Sequence, residues 1–313
     1  MDPKEFNILV LGSGAIGSLY GGKLAQIGSK VYFFCRSDYE VVKERGIQVK
    51  SIWGDFSFKP HKTIRSCDEV DCDIDFILVC LKVLPEIDVP YLIRPAVGSK
   101  TSIVLIQNGI DIEPPIKKAF PDNELISVLA FVCSNRVEPG IVHHLDYGQL
   151  KIGTYPYGIG DGARTLKELF DIAKVPCELV EDVVKARWQK LVWNAPFNPL
   201  SVLSGGADTL QMLKDKNMRK LIYDVMKEVC CIAKAEGKEL PENIPEEMIK
   251  LTEKMVPYKT SMLLDFEAKR PMEVEAILGN GVRIAKKHGL DVPKMETLYS
   301  ILSMLDRKNR GVL

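Results

Sequence analysis

The stretch "NILVLGSGAIGSLYGGKLAQIG", residues 7–28, leaves the first half of the chain little choice of fold. Ile8 to Leu11 form an apolar run without alternation, the pattern of a strand covered on both faces in a parallel sheet. Gly12, Gly14 and Gly17 follow in G-x-G-x-x-G spacing. Leu19, Leu24 and Ile27 then trace the apolar face of a helix that Gly28 ends. The glycines have separable tasks. Gly12 permits a tight turn, Gly14 lets backbone approach a pyrophosphate, and Gly17 lets helix and strand pack closely. The helix N-terminus offers N–H groups and positive potential to a phosphate. A second strand, "KVYFFCR", follows, so the motif sits in the strand–turn–helix–strand context that gives it meaning.

The end of that second strand selects the dinucleotide. An acid there accepts the ribose hydroxyls of NAD. This chain has Cys35, Arg36 and Ser37 instead. The Arg36 guanidinium can fork onto a 2′-phosphate, which an acid would repel, so the residues predict NADPH. Asp38 stays an alternative, since a shift in register would bring it to the ribose. Two further apolar runs, "DFILVCLK" and "SIVLIQNG", end on Lys82 and on Asn108 with Gly109. Ligands of open α/β sheets bind beyond the carboxyl ends of the strands, which makes Lys82 and Asn108 candidate cofactor contacts. "ISVLAFVCS", "GIVHHLD" and "GQLKIGT" are expected to extend the sheet as short, partly antiparallel strands. A helix over "DGARTLKELFDIAKVP" and a strand at "CELVED" should close the domain near residue 181.

From residue 182 helical periodicity takes over. Met218, Leu221, Ile222, Val225, Met226 and Val229 trace one face of a long helix ending near Gly237. Further helices are predicted near 244–256, 258–268, 272–288 and 293–307, with Gly289 and Pro293 punctuating the last pair. The fold class is therefore α/β plus all-α: a dinucleotide-binding Rossmann domain over 1–181 and a helical domain over 182–313. A cleft between two such domains is a common place for a small-molecule site.

"RWQKLVWNAPFNPLSVL", residues 187–203, places Lys190, Asn194 and Asn198 four apart in an apolar surround. Four residues advance a helix by about 400°, so the three form one slowly drifting stripe. A buried amine or amide without a partner is costly, so the stripe should face something polar, and the cleft is the candidate. Pro196 and Pro199 threaten a kink before Asn198. A second polar cluster holds Ser261, in an apolar helical context, and Glu273, which follows Pro271 in what reads as the first turn of a helix.

Composition narrows the function. The 313 residues carry 42 Lys plus Arg and 42 Asp plus Glu, a formal charge of zero. That balance argues against nucleic acid and anionic membranes as partners. No apolar run approaches the roughly 20 residues of a membrane span. The N-terminus enters a strand at once and has no signal-peptide pattern, which predicts a cytoplasmic protein. The eight cysteines form no C-x-x-C pair and histidine is scarce, so no metal site is expected. The sequence leaves monomer and homodimer both open.

Taken together, "LGSGAIG" with Arg36, "LVCLK", "LIQNG", "PGIVHHLDYGQLKIG", "RWQKLVWNAPFNPLSVL" and "SMLLDFEAKRPMEVEAILG" resemble the ketopantoate reductase (2-dehydropantoate 2-reductase) family over nearly the whole chain. The Lys-x3-Asn-x3-Asn-Pro arrangement is the most specific of these. The resemblance implies a helical domain of the 6-phosphogluconate dehydrogenase-like type and NADPH-dependent reduction of ketopantoate to pantoate, a step toward pantothenate and coenzyme A. It implies cofactor contacts from Gly12, Ser13, Gly14, Ala15, Ile16, Gly17, Arg36, Lys82 and Asn108. Lys190 matches the general acid and Glu273 the partner that orients the substrate hydroxyls. Asn108, Asn194, Asn198 and Ser261 match substrate-binding groups. Tyr258 stands where many members carry asparagine, Val83 and Leu84 where smaller or polar residues are frequent, and Pro196 is an extra proline. These departures keep two alternatives open: an NADPH-dependent reductase of another small 2-oxo acid, and a catalytically degenerate NADPH-binding regulatory protein.

Overall fold

A computed structural model describes residues 1–312. The chain forms two compact units. The first comprises Met1–Lys82, Ile87–Gln107 and Glu113–Val183. The second comprises Val83–Glu86, Asn108–Ile112 and Val184–Leu313.

The first unit is a ten-stranded sheet with helices. Its strands are β1 (Asn7–Leu11), β2 (Lys30–Phe34), β3 (Ile47–Ser51), β4 (Phe56–Phe58), β5 (Lys62–Ile64), β6 (Phe76–Val79), β7 (Ser102–Ile106), β8 (Leu125–Glu138), β9 (Ile141–Thr154) and β10 (Cys177–Leu179). Its helices are α1 (Ala15–Gln26), α2 (Tyr39–Arg45), α3 (Val89–Ile93), α4 (Pro114–Ala119) and α5 (Asp161–Ile172). Strands β5, β2, β1, β6, β7 and β8 lie side by side and parallel. Numbered by their order along the chain, these six strands run 3-2-1-4-5-6, the order of a dinucleotide-binding sheet. The order reverses between β1 and β6, and such a switch point opens a crevice at the carboxyl ends of the strands. Ile8, Leu9, Val10, Leu11, Ile77, Leu78 and Val79 are wholly buried, as unalternating runs require. Each such side chain contributes about 1.5–3 kcal/mol on burial, which offsets the entropy of ordering the sheet.

Two parts of this unit differ from the sequence reading. "GIVHHLD" and "GQLKIGT" are not separate strands but one long β9, antiparallel to an equally long β8. Register shifts at Phe131/Val132, Cys133/Ser134 and Arg136/Glu138 break the alternation by which strands are recognised in sequence. Strands β3 to β5 are further additions, each three to five residues long; only β3, with Ile47 and Val49 buried and Gln48 and Lys50 exposed, carries the alternation of a half-buried strand.

The second unit is helical: α6 (Val183–Leu203, entering from the first unit), α7 (Thr209–Lys214), α8 (Lys216–Ala235), α9 (Ile244–Lys254), α10 (Ser261–Glu267), α11 (Asn280–Lys287) and α12 (Pro293–Asn309). A π-helical turn, Glu275–Gly279, runs directly into α11. Trp188, Leu191, Val192 and Phe197 of α6 share a core with Ile222, Val225, Met226 and Val229 of α8 and with Met295, Leu298 and Leu302 of α12. Asp215 caps α8 by accepting from the Met218 N–H, and Pro293 opens α12. Helix α6 stays continuous through Pro196 and Pro199. Among the described residues no helix is long and apolar enough to cross a membrane.

Candidate active site

The glycine loop of the first unit joins β1 to α1. Gly12 has φ +110°, which suits glycine. A Cβ on Gly17 would run into the Gly12 carbonyl oxygen and the Val10 side chain, so only glycine lets α1 pack this closely on β1. Gly14, the N-cap of α1, has no atom within 4 Å of where a Cβ would lie. The crowding is thus on one side of the loop and the free space on the other. That arrangement fits a dinucleotide pyrophosphate laid against Gly14, Ala15 and Ile16 at the helix N-terminus.

At the end of β2, Arg36 and Ser37 are exposed. Asp38 is only 2% exposed and is already engaged. Its Oδ1 accepts from Ser13 Oγ at 2.7 Å, and its Oδ2 lies 3.1 Å from Arg136 Nη1 of β8. The acid that competed for the ribose in sequence therefore ties the glycine loop to the sheet, and Arg36 is the residue left facing solvent. Lys82 lies three residues beyond β6 and is half-buried.

The helical unit gathers the other candidates. Lys190 Nζ donates to Asn108 Oδ1 at 2.8 Å. Asn108 reaches it because the segment after β7, Asn108–Ile112, belongs to this unit and is pinned there. Ile110 N donates to the Ala276 carbonyl at 3.0 Å, and Asn280 Nδ2 donates to the Ile110 carbonyl at 2.7 Å. Gly109, with φ +103°, presses so closely on Ala276 that a Cβ would come within 2.7 Å of the Ala276 carbonyl oxygen. Arg187 Nη1 donates to the Gly109 carbonyl at 3.2 Å.

Glu273 immediately precedes the helix that starts with the π turn. Its carbonyl accepts from Ile277 N, but the residue itself stands just ahead of the helix and not in its first turn, and Pro271 lies wholly before the helix. The Pro271 signal marked the approach to the helix and not its first turn. Glu273 Oε1 accepts from Val83 N at 2.9 Å. Burial drives the Lys190 ammonium down to about 7, with the Arg187 charge acting the same way and the Glu273 carboxylate opposing both.

Asn194 and Asn198 continue the stripe along α6 and are 7% and 4% exposed. No hydrogen bond of either amide side chain is present among the described residues. Ser201, three residues past Asn198, bonds Thr260 through the two hydroxyls at 2.6 Å. Thr260 is the N-cap of α10, so the adjoining Ser261 lies beside the far end of the stripe. Ser261 is the first residue of α10 and is exposed, not enclosed in an apolar helix as its sequence context suggested. Tyr258 stacks nearly parallel on Trp193, rings 6.0 Å apart.

The structure thus brings together Lys190, Asn108 and Glu273, with Asn194 and Asn198 following along α6 and Ser261 at the start of α10. Sequence reasoning missed Arg187, Asn280 and the Ser13–Asp38–Arg136 cluster. Arg187 stands three residues before Lys190, a same-face spacing that was available as a signal. The other contacts are long-range and leave no local pattern.

Two family models match along the chain. Residues 8–157 match the family described as "Ketopantoate reductase PanE/ApbA", and residues 182–306 match its C-terminal counterpart. The chain belongs to the ketopantoate reductase family. It is a family of oxidoreductases with a NAD(P)-dependent fold, a Rossmann-like domain followed by a helical one. A protein named 2-dehydropantoate 2-reductase from Nostoc sp. is 38% identical over 312 residues, which span 98% of this chain and 97% of that protein. The crystal structure of 2-dehydropantoate 2-reductase from Methylococcus capsulatus shares 47% identity with a TM-score of 0.91, covering 97% of this chain and 98% of its own. That from Geobacter metallireducens shares 35% with a TM-score of 0.90, covering 96% and 99%.

Proposed function

We propose that this protein reduces 2-dehydropantoate to pantoate with NADPH, the substrate being held on the helical unit and the cofactor on the sheet unit. The observation that carries the reading is the Lys190 amine, bonded to Asn108 Oδ1 at 2.8 Å and depressed to about 7. A group that loses its proton near neutrality is well matched to general acid catalysis.

When bound, NADPH supplies the hydride. Gly12, Ser13, Gly14, Ala15, Ile16 and Gly17 would cradle its pyrophosphate, Arg36 its 2′-phosphate, and Lys82 and Asn108 would add contacts. Lys190 supplies the proton. As the ketone carbon gains hydride, negative charge builds on the carbonyl oxygen. The ammonium stabilises that charge and transfers its proton, so C=O becomes CH–OH and the amine is left neutral to recover a proton from water. Asn108 takes one of the three ammonium hydrogens and so fixes where the others point. Glu273 helps keep Lys190 protonated and can accept a substrate hydroxyl in a charge-assisted bond. Asn194, Asn198 and Ser261 supply donors for the substrate carboxylate. We place the reaction in the cytoplasm, where eight free cysteines are at home.

Tyr258 favours a second reading. Its ring is committed to the stack on Trp193, where an asparagine amide is expected from the family resemblance, which shifts preference toward a different 2-oxo acid. The test is the loss of 340 nm absorbance from NADPH on adding ketopantoate, with pyruvate as comparator. Faster turnover of ketopantoate supports the first reading, faster turnover of pyruvate the second, and oxidation with no oxo acid refutes both.

A further inference from the structure

The Arg187 side chain is enclosed, at 2% exposure. A guanidinium out of water is expensive to keep and persists where the surroundings make use of it. Its position shows two uses. Nη1 donates to the carbonyl of Gly109, the residue after Asn108, at 3.2 Å. Asn108 in turn accepts from Lys190 Nζ. Arg187 and Lys190 also share a face of α6 by their i, i+3 spacing.

We propose that Arg187 is a positioning residue for the reduction: it clamps the Asn108–Gly109 segment that orients the Lys190 amine, and as a second cation on the same helix face it makes Lys190 a readier proton donor. The inference rests on Lys190 being the general acid. Three elements face that amine: α6 with Arg187, the segment after β7 with Asn108, and the segment before the π turn with Glu273. Arg187 and Glu273 act on the proton in opposite senses, and the Arg187 charge adds to the effect of burial. Removing the charge should leave the proton held more tightly. The donor is then weaker at its plateau but stays protonated to higher pH. Removing only the fork, with charge kept, should disturb orientation and leave the midpoint alone.

The experiment compares wild type, Arg187→Met, Arg187→Lys and Lys190→Ala in NADPH oxidation with ketopantoate from pH 5.5 to 9.5, beside a thermal melt of each. For Arg187→Met, the alkaline midpoint of kcat rises by about one unit and the plateau falls roughly 10–100-fold. For Arg187→Lys, the plateau falls and the midpoint stays with wild type. A folded Arg187→Met with the wild-type plateau and midpoint overturns the assignment. If Arg187→Met does not fold, Arg187→Lys decides: a lowered plateau with an unmoved midpoint supports it, and a wild-type profile or an upward midpoint overturns it. Near-normal turnover by Lys190→Ala instead removes the reading of Lys190 itself, and so separates that failure from the failure of Arg187.

Discussion

The carboxyl end of the sheet and the polar stripe of α6 both set polar groups into apolar surroundings, and they do so by opposite means. At the sheet the buried side chains of β1, Ile8–Leu11, and those of β6 are wholly apolar, and the polarity is backbone, the N–H groups at the start of α1. The polar side chains there, Ser13, Asp38 and Arg136, satisfy one another. In α6 most of the backbone is spent within the helix, Pro196 and Pro199 aside, and the polarity is side chain: Lys190, Asn194 and Asn198. A site made of backbone is sensitive to an added Cβ and indifferent to most chemistry. A site made of side chains depends on the identity of each one.

The largest test of that contrast is Lys190→Ala. It should lower turnover by roughly 10²–10⁴, the usual value of a general acid, with NADPH affinity held in a fluorescence titration. Near-normal turnover would break the comparison at its chemical end. Next comes Gly109→Ala, which probes a place where the helical unit also relies on bare backbone. A Cβ at φ +103° against Ala276 should cost about 2–3 kcal/mol in a denaturant melt. Arg36→Ala should weaken NADPH by about 10–100-fold and NADH little, as expected for one charged hydrogen bond of about 1.5–3 kcal/mol. Equal losses for both cofactors would mean that Arg36 is only a surface charge. The smallest effect sharpens the contrast most. Asn194→Leu removes a buried amide that has no hydrogen bond among the described residues, so it should stabilise the fold by about 1 kcal/mol while raising KM for the oxo acid. A loss of stability would show that the amide serves the fold.

The same contrast explains what could be read from sequence. Ile8–Leu11, Phe76–Leu81 and the glycine spacing follow from local rules, and the strands stand where those rules put them. The stripe at 190, 194 and 198 was legible because helix periodicity is local too. What escaped depends on partners distant in sequence. Asn108–Ile112 reads as the tail of a strand, yet bonds to Ala276 and Asn280 assign it to the helical unit. Asp38 reads as a candidate ribose acceptor until Ser13 and Arg136 are seen to occupy both its oxygens. Glu273 reads as an ordinary first-turn acid until it is found just ahead of the helix and holding Val83 N.

The central claim is that the fold strips an ordinary lysine of its solvent and makes it an acid matched to neutral pH. The most direct measurement is an NMR titration of the Lys190 ammonium, assigned by its loss in Lys190→Arg. A midpoint near 7, far below the usual 10.5, is predicted, so that the proton-donating form prevails below that pH and is lost above it. A midpoint near 10.5 would contradict the account.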